Sequence, residues 1–171
     1  MKKNVKLILI SMLILNNLNA QNDVKSSFLL KWENSKNYLL EIASKMPEDT
    51  YNYKPTEQQM NFQEQLLHIR ENMVWLSETY FTSGDFLKSK KVNPTTKEAL
   101  IKELEIAFNN VYEIIKNVQM EDLSTEVDFF AGPKSKLQIL NLLQDHVSHH
   151  RGQLIVYLNL VNVKPPKYTG W

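Results

Sequence analysis

The stretch SKLQILNLLQDHVSHHRGQLIVYLNLVN, residues 135–162, decides the fold class. Along it Leu140, Leu143, Val147, His150, Leu154, Tyr157 and Val161 alternate three and four apart, the spacing of one face of an amphipathic helix. The pattern predicts a helix from about Ser135 to Asn162. Pro165-Pro166 forbids its continuation, and Lys167 to Trp171 is expected to be extended.

Three further helices are expected upstream. Phe28, Trp32, Leu39, Ile42 and Met46 recur at helical spacing from Val24 to Lys45, with Ser35 inside the stripe and Pro47 just past the end. Residues 47–56 carry turn chemistry, and Phe62 to Phe81 follows with Leu66, Ile69, Met73, Leu76 and Tyr80 on one stripe, closed by Ser83-Gly84-Asp85. After Pro94, Thr95 or Thr96 is the expected cap of a third helix carrying Leu100, Leu104, Ala107, Val111, Ile114, Ile115 and Val118. Residues 119–133 are expected to be irregular, and no alternating pattern of strand length is present. The expected class is therefore all-α, with four helices long enough for a bundle.

Composition narrows the function. A chain of 171 residues, 43% hydrophobic and 23% charged, fits one globular domain. A net charge of +1 without a dense Lys/Arg run excludes the footprint of a nucleic-acid binder and of a polybasic membrane patch. With no cysteine, disulfides, thiolate zinc sites and a Cys nucleophile are ruled out, so any metal must rely on His, Asp or Glu.

Residues 1–20 are expected to be a signal peptide: Met1 to Lys6 is basic, Leu7 to Leu15 is apolar except for Ser11, and Asn16 to Ala20 is a polar exit ending in a small residue. The apolar run is too short to cross ~30 Å of hydrocarbon as a helix, which disfavours an uncleaved anchor. Cleavage after Ala20 would leave residues 21–171 as the mature domain, exported to the periplasm or secreted, with no stable membrane insertion. Losing Lys2, Lys3 and Lys6 leaves 17 basic against 19 acidic residues, a net charge of −2.

The candidate chemistry lies in Asp145 to Gln153. His146 and His150 are four apart, so their rings share one helix face and two imidazole nitrogens can reach one ion at ~2.1 Å. His150 faces the bundle interior on its stripe, His146 lies at the edge, and His149 points elsewhere. Taken alone, the pair has two readings: metal ligands, or a core histidine hydrogen-bonded across the bundle. The remaining histidine, His68, sits roughly 200° around the second helix from Leu66, off the main stripe. It is either a third ligand or a partly exposed polar residue. Trp75 on the same face suggests that this second face is also covered, as in a helix contacting two neighbours. Glu64 and Glu71 lie within a turn of His68 as candidate bases or solvated residues.

Pro47 to Ile69, with Lys54-Pro55-Thr56 and Phe62 to Ile69, resembles the connection and second helix of the DinB-like family. His146-Val147-Ser148-His149-His150-Arg151-Gly152-Gln153 resembles its fourth-helix signature, and Val163 to Tyr168 its proline-containing tail. The resemblance spans nearly the whole mature chain. It implies an up-down-down-up four-helix bundle with a long crossover between helices two and three, beginning in Thr82 to Thr96. It implies one divalent ion, zinc or nickel first and manganese or iron as alternatives, on His68, His146 and His150. It also implies a homodimer, for which apolar residues on more than one face of helix two are a second motive. Some relatives transfer low-molecular-weight thiols or isomerise thiol adducts, but an exported chain would lack that cytosolic co-substrate. The leading expectation is a metal-dependent hydrolase or transferase acting on a small molecule of unnamed class. The alternative is a non-catalytic metal- or ligand-binding module.

Overall fold

The computed structural model describes residues 24–82 and 92–171 in full. The side chains of the expected leader, and the greater part of the expected crossover at residues 83–91, lie outside the described residues. The helices are α1 (Lys2–Lys45, side chains described from Val24), α2 (Phe62–Phe81), α3 (Lys97–Asn117) and α4 (Lys136–Leu160). Among the described residues the molecule is all-α but for two two-residue strands, β1 (Glu126–Val127) and β2 (Lys134–Ser135).

Local chemistry sets the helix ends. The α1 helix stops two residues before Pro47, whose ring disfavours helical geometry in the preceding residue. At the start of α2, Asn61 Oδ1 accepts the Glu64 N–H at 2.8 Å while Glu64 Oε2 accepts the Asn61 N–H at 2.7 Å, a reciprocal capping box. Ser135 and Gln138 repeat that arrangement on α4, and Thr96 caps α3. At its far end α4 closes through Asn162 in the left-handed region (φ 59°), which lets the Val163 N–H reach the Leu158 carbonyl at 2.8 Å.

Both α1 and α2 pack against α3 and α4. The α1 and α3 helices run antiparallel: Lys25 Nζ reaches the carbonyls of Lys116 and Val118, whereas Lys97 Nζ reaches those of Ser44 and Met46 at the opposite end. The α2 and α4 helices are likewise antiparallel, with Gln65 meeting Gln153 and His68 meeting His146. Trp32, Leu39, Ile42, Leu66, Leu76, Leu104, Phe108, Leu143 and Leu154 fill the core with no exposed surface. Ser35, the polar member of the α1 stripe, is fully buried because its hydroxyl accepts from Gln144 Nε2 at 2.9 Å and Arg151 Nη1 at 3.3 Å. It ties α1 to α4 one turn from the histidines.

The expectation that 119–133 is wholly irregular is corrected by a 3-10 turn at Met120–Ser124 and by β1, which pairs antiparallel with β2 through Glu126↔Ser135 and Val127↔Lys134. Two residues per strand are too few to leave an alternating pattern in the sequence. The loop between them places Phe129 against Trp75, rings stacked at 6.2 Å. The second apolar face of α2 is therefore covered within the chain. Among the described residues, no helix is long and apolar enough to cross a membrane.

Candidate metal centre

On α2 the core stripe of Leu66, Ile69, Met73 and Leu76 is buried, which turns His68 toward α4. Both structural links, capped helix start and antiparallel α2–α4 packing, place His68 opposite His146 and His150. One ring nitrogen from each of the three lies within 4.8 Å of the others. His146 Nε2 and His68 Nε2 are 3.2 Å apart, and the rings of His146 and His150 are centred 4.5 Å apart. Four tetrahedral ligands at ~2.1 Å from an ion stand about 3.4 Å from each other, so this spacing suits a shared divalent cation. His150 is buried and His68 and His146 are half-buried. The off-stripe angle of His68 is what brings it to the site.

The surroundings of His150 favour coordination through one particular nitrogen. Its Nδ1 lies 2.6 Å from Gln65 Oε1; with that amide oxygen as the acceptor Nδ1 would carry the proton, and the Nε2 lone pair would be left for an ion. Among the described residues, the Nδ1 of His146 is buried without a hydrogen-bond partner. His149 is exposed and bonded to Gln153 Nε2 at 2.9 Å, outside the cluster as expected. Among the described residues, no Asp, Glu or further His joins the three. The arrangement is a set of three imidazoles that can hold a divalent ion and leave a coordination position open.

The other signature residues do different work. Arg151 points to α1, its guanidinium 4.9 Å over the Tyr38 ring. Gly152 is exposed, and a Cβ there would meet nothing within 4 Å, so packing does not require a glycine. Glu64, committed to the α2 cap, and Glu71 both line a cleft of about 570 Å³ whose wall includes His68, Glu57 and Lys54. Gln65 went unnoticed in the sequence. The signal that could have found it is its place one turn before His68, but a helical Gln carries no mark of burial.

Burial, reinforced by the neighbouring imidazoles, pushes His146 down to about 3 and His150 down to about 4. Protonation of these two rings therefore sets in well below the usual histidine range near ~6.5. Both folded values lie below the unfolded one, so the unfolded chain takes up protons first as pH falls. Their contribution to stability is complete above about pH 6.5 and is lost progressively toward pH 4 and then 3. Metal-free protein should accordingly melt at falling temperature as pH drops from 6.5 to 4, with a shallower fall in His146→Gln. Equal slopes for the two proteins would contradict this origin.

The model of the DinB family matches residues 16–171 of the chain. YjoA of Bacillus subtilis (strain 168) is 26% identical over 140 residues, which cover 80% of this chain and 88% of that protein. The crystal structure of YjoA, a DinB-like protein, superposes with a TM-score of 0.71 at 22% identity over 83% of this chain and 96% of its own. A DinB-like protein from Bacillus cereus ATCC 10987 superposes at 0.69 and 18% identity, covering 84% and 97%. These two likenesses show a shared helical fold. With a family match running through all four helices and both halves of the histidine cluster, the chain belongs to the DinB family.

Proposed function

We propose that the mature chain is exported, binds one divalent ion on His68, His146 and His150, and acts as a metal-dependent hydrolase or transferase on a small molecule. The observation that carries this reading is the cleft bounded by His68 beside a three-histidine cluster to which, among the described residues, no fourth protein ligand is joined. A divalent ion held there would supply Lewis-acid polarisation of a substrate oxygen or activation of water. Lys54 and Glu57, paired at 2.8 Å, form part of the cleft wall. Glu71 has no hydrogen bond or ion pair among the described residues and is the carboxylate available to take a proton from a nucleophile in the cleft. The reading includes a homodimer, supported by the exposed Val156 and Leu160, one turn apart on α4.

The test is protein recovered from the exported fraction without added ions. It should begin at Gln21, carry one equivalent of zinc, nickel or a similar ion, and show in hydrolase and transferase screens an activity that a chelator abolishes and the ion restores. Protein that retains Met1, lacks bound metal, or remains active after complete chelation would contradict the reading.

A further inference from the structure

Behind His150 lies a chain of amides that none of the three histidines explains. His150 Nδ1 faces Gln65 Oε1 at 2.6 Å. Gln65 Nε2 donates to Gln153 Oε1 at 2.6 Å, and Gln153 Nε2 faces His149 Nε2 at 2.9 Å. Gln65 is 2% exposed, so its amide has little recourse to water.

Such a chain has two directions. In one, His150 carries its proton on Nδ1 and presents the Nε2 lone pair to the cluster. In the other, both amides are turned over, Gln65 donates to Nδ1, and the proton sits on Nε2, where it blocks coordination. The amides and His150 by themselves do not choose between them. Tyr157 does. Its hydroxyl donates to the Met60 carbonyl at 2.8 Å, which leaves the phenol oxygen as an acceptor toward Gln65 Nε2 at 3.4 Å. Turning Gln65 over would set its carbonyl oxygen against a phenol oxygen whose proton is already committed. Tyr157 is itself buried between Phe62 and Tyr53, so its hydroxyl has few alternatives.

We propose that Gln65, with its amide direction set by Tyr157 and continued by Gln153, is a positioning residue that holds His150 in the Nδ1–H tautomer and so keeps the cluster ready for an ion. This rests on the three-histidine reading for its purpose, but the tautomer itself is a property of the metal-free protein. Removing a hydrogen-bonded support behind a ligating histidine typically weakens metal affinity ~10–100-fold.

The experiment is ¹⁵N NMR of the imidazole nitrogens in metal-free protein at neutral pH, together with calorimetric titration by zinc. In the wild type, His150 Nδ1 should give a protonated and Nε2 an unprotonated nitrogen shift. Gln65→Leu should lose that preference and bind zinc about 10–100-fold more weakly at unchanged stoichiometry. Gln65→Glu, which keeps an acceptor for Nδ1–H, should retain the tautomer, and Tyr157→Phe should weaken the preference with the helices intact. A wild-type His150 protonated on Nε2 would overturn the proposal, and this holds even if Gln65→Leu fails to fold. So would Gln65→Leu or Tyr157→Phe with wild-type tautomer and affinity. A fixed Nδ1–H tautomer in a wild type that binds no zinc would support the relay while overturning the metal reading.

Discussion

Replacing His68, His146 or His150 by alanine, one at a time, is expected to weaken zinc or nickel binding by on the order of 100-fold or more. Structural zinc sites gain roughly 10–16 kcal/mol from four ligands, or about 3 kcal/mol for each, and 1.4 kcal/mol is tenfold in affinity. His149→Ala should stay close to wild type, because its ring sits at the exposed end of the amide chain and outside the cluster. The stability that metal adds to the fold, about 4 kcal/mol at a thousandfold excess over the wild-type Kd, should fall to about 1.4 kcal/mol or less in the three variants at the same metal concentration and persist in His149→Ala. Calorimetry and melting with and without metal measure both. Near-normal affinity in His68→Ala would reduce the site to an α4 pair, and a loss in His149→Ala equal to that in His150→Ala would reverse the assignment of the helix face.

The second large effect is on the fold itself. Trp32 is fully buried, its ring 4.8 Å from that of Phe108 and its Nε1 donating to the Phe108 carbonyl at 3.0 Å. Trp32→Ala removes the largest side chain of the α1–α3 seam and leaves that carbonyl without its second partner, and it should cost about 3–5 kcal/mol. In a chain of this size that corresponds to a fall in Tm of roughly 10 °C or more. Trp171→Ala, at a residue 72% exposed, should change stability by less than about 0.5 kcal/mol. Denaturant unfolding of the two variants beside the wild type checks the contrast. Similar losses in both would mean that the tail, with Lys31 over the Trp171 ring at 5.0 Å, bears more of the stability than its exposure indicates.

What the sequence could and could not disclose follows from where each signal resides. The stripes from Leu140 to Val161 and from Leu66 to Leu76 are periodic because one helix face meets the core, so α4 and α2 were legible to within a residue or two. Thr96 and Ser135 mark helix starts because a hydroxyl must accept an orphan backbone N–H. His68 was ambiguous for a physical reason. A helix packed on two neighbours has two buried faces, and periodicity reports the wider one, here the stripe opposite His68. The family resemblance, rather than spacing, joined His68 to His146 and His150, and the packing of α2 on α4 supplies the reason. Gln65 and Tyr157 were illegible as supports, since a hydrogen bond between residues 92 apart in sequence leaves no local pattern. The hairpin of β1 and β2 escaped because its ladder is shorter than one period of evidence. The side chains of the expected leader and residues 83–91 of the expected crossover lie outside the described residues, and both expectations rest on sequence alone.

The three-histidine centre is tested most directly by the crystal structure of the zinc- or nickel-loaded protein, with data recorded on both sides of the metal absorption edge. A single anomalous peak should appear ~2.1 Å from one ring nitrogen each of His68, His146 and His150, with His150 Nδ1 still bonded to Gln65. A peak that includes His149, omits His68, or lies away from the α2–α4 seam would contradict it.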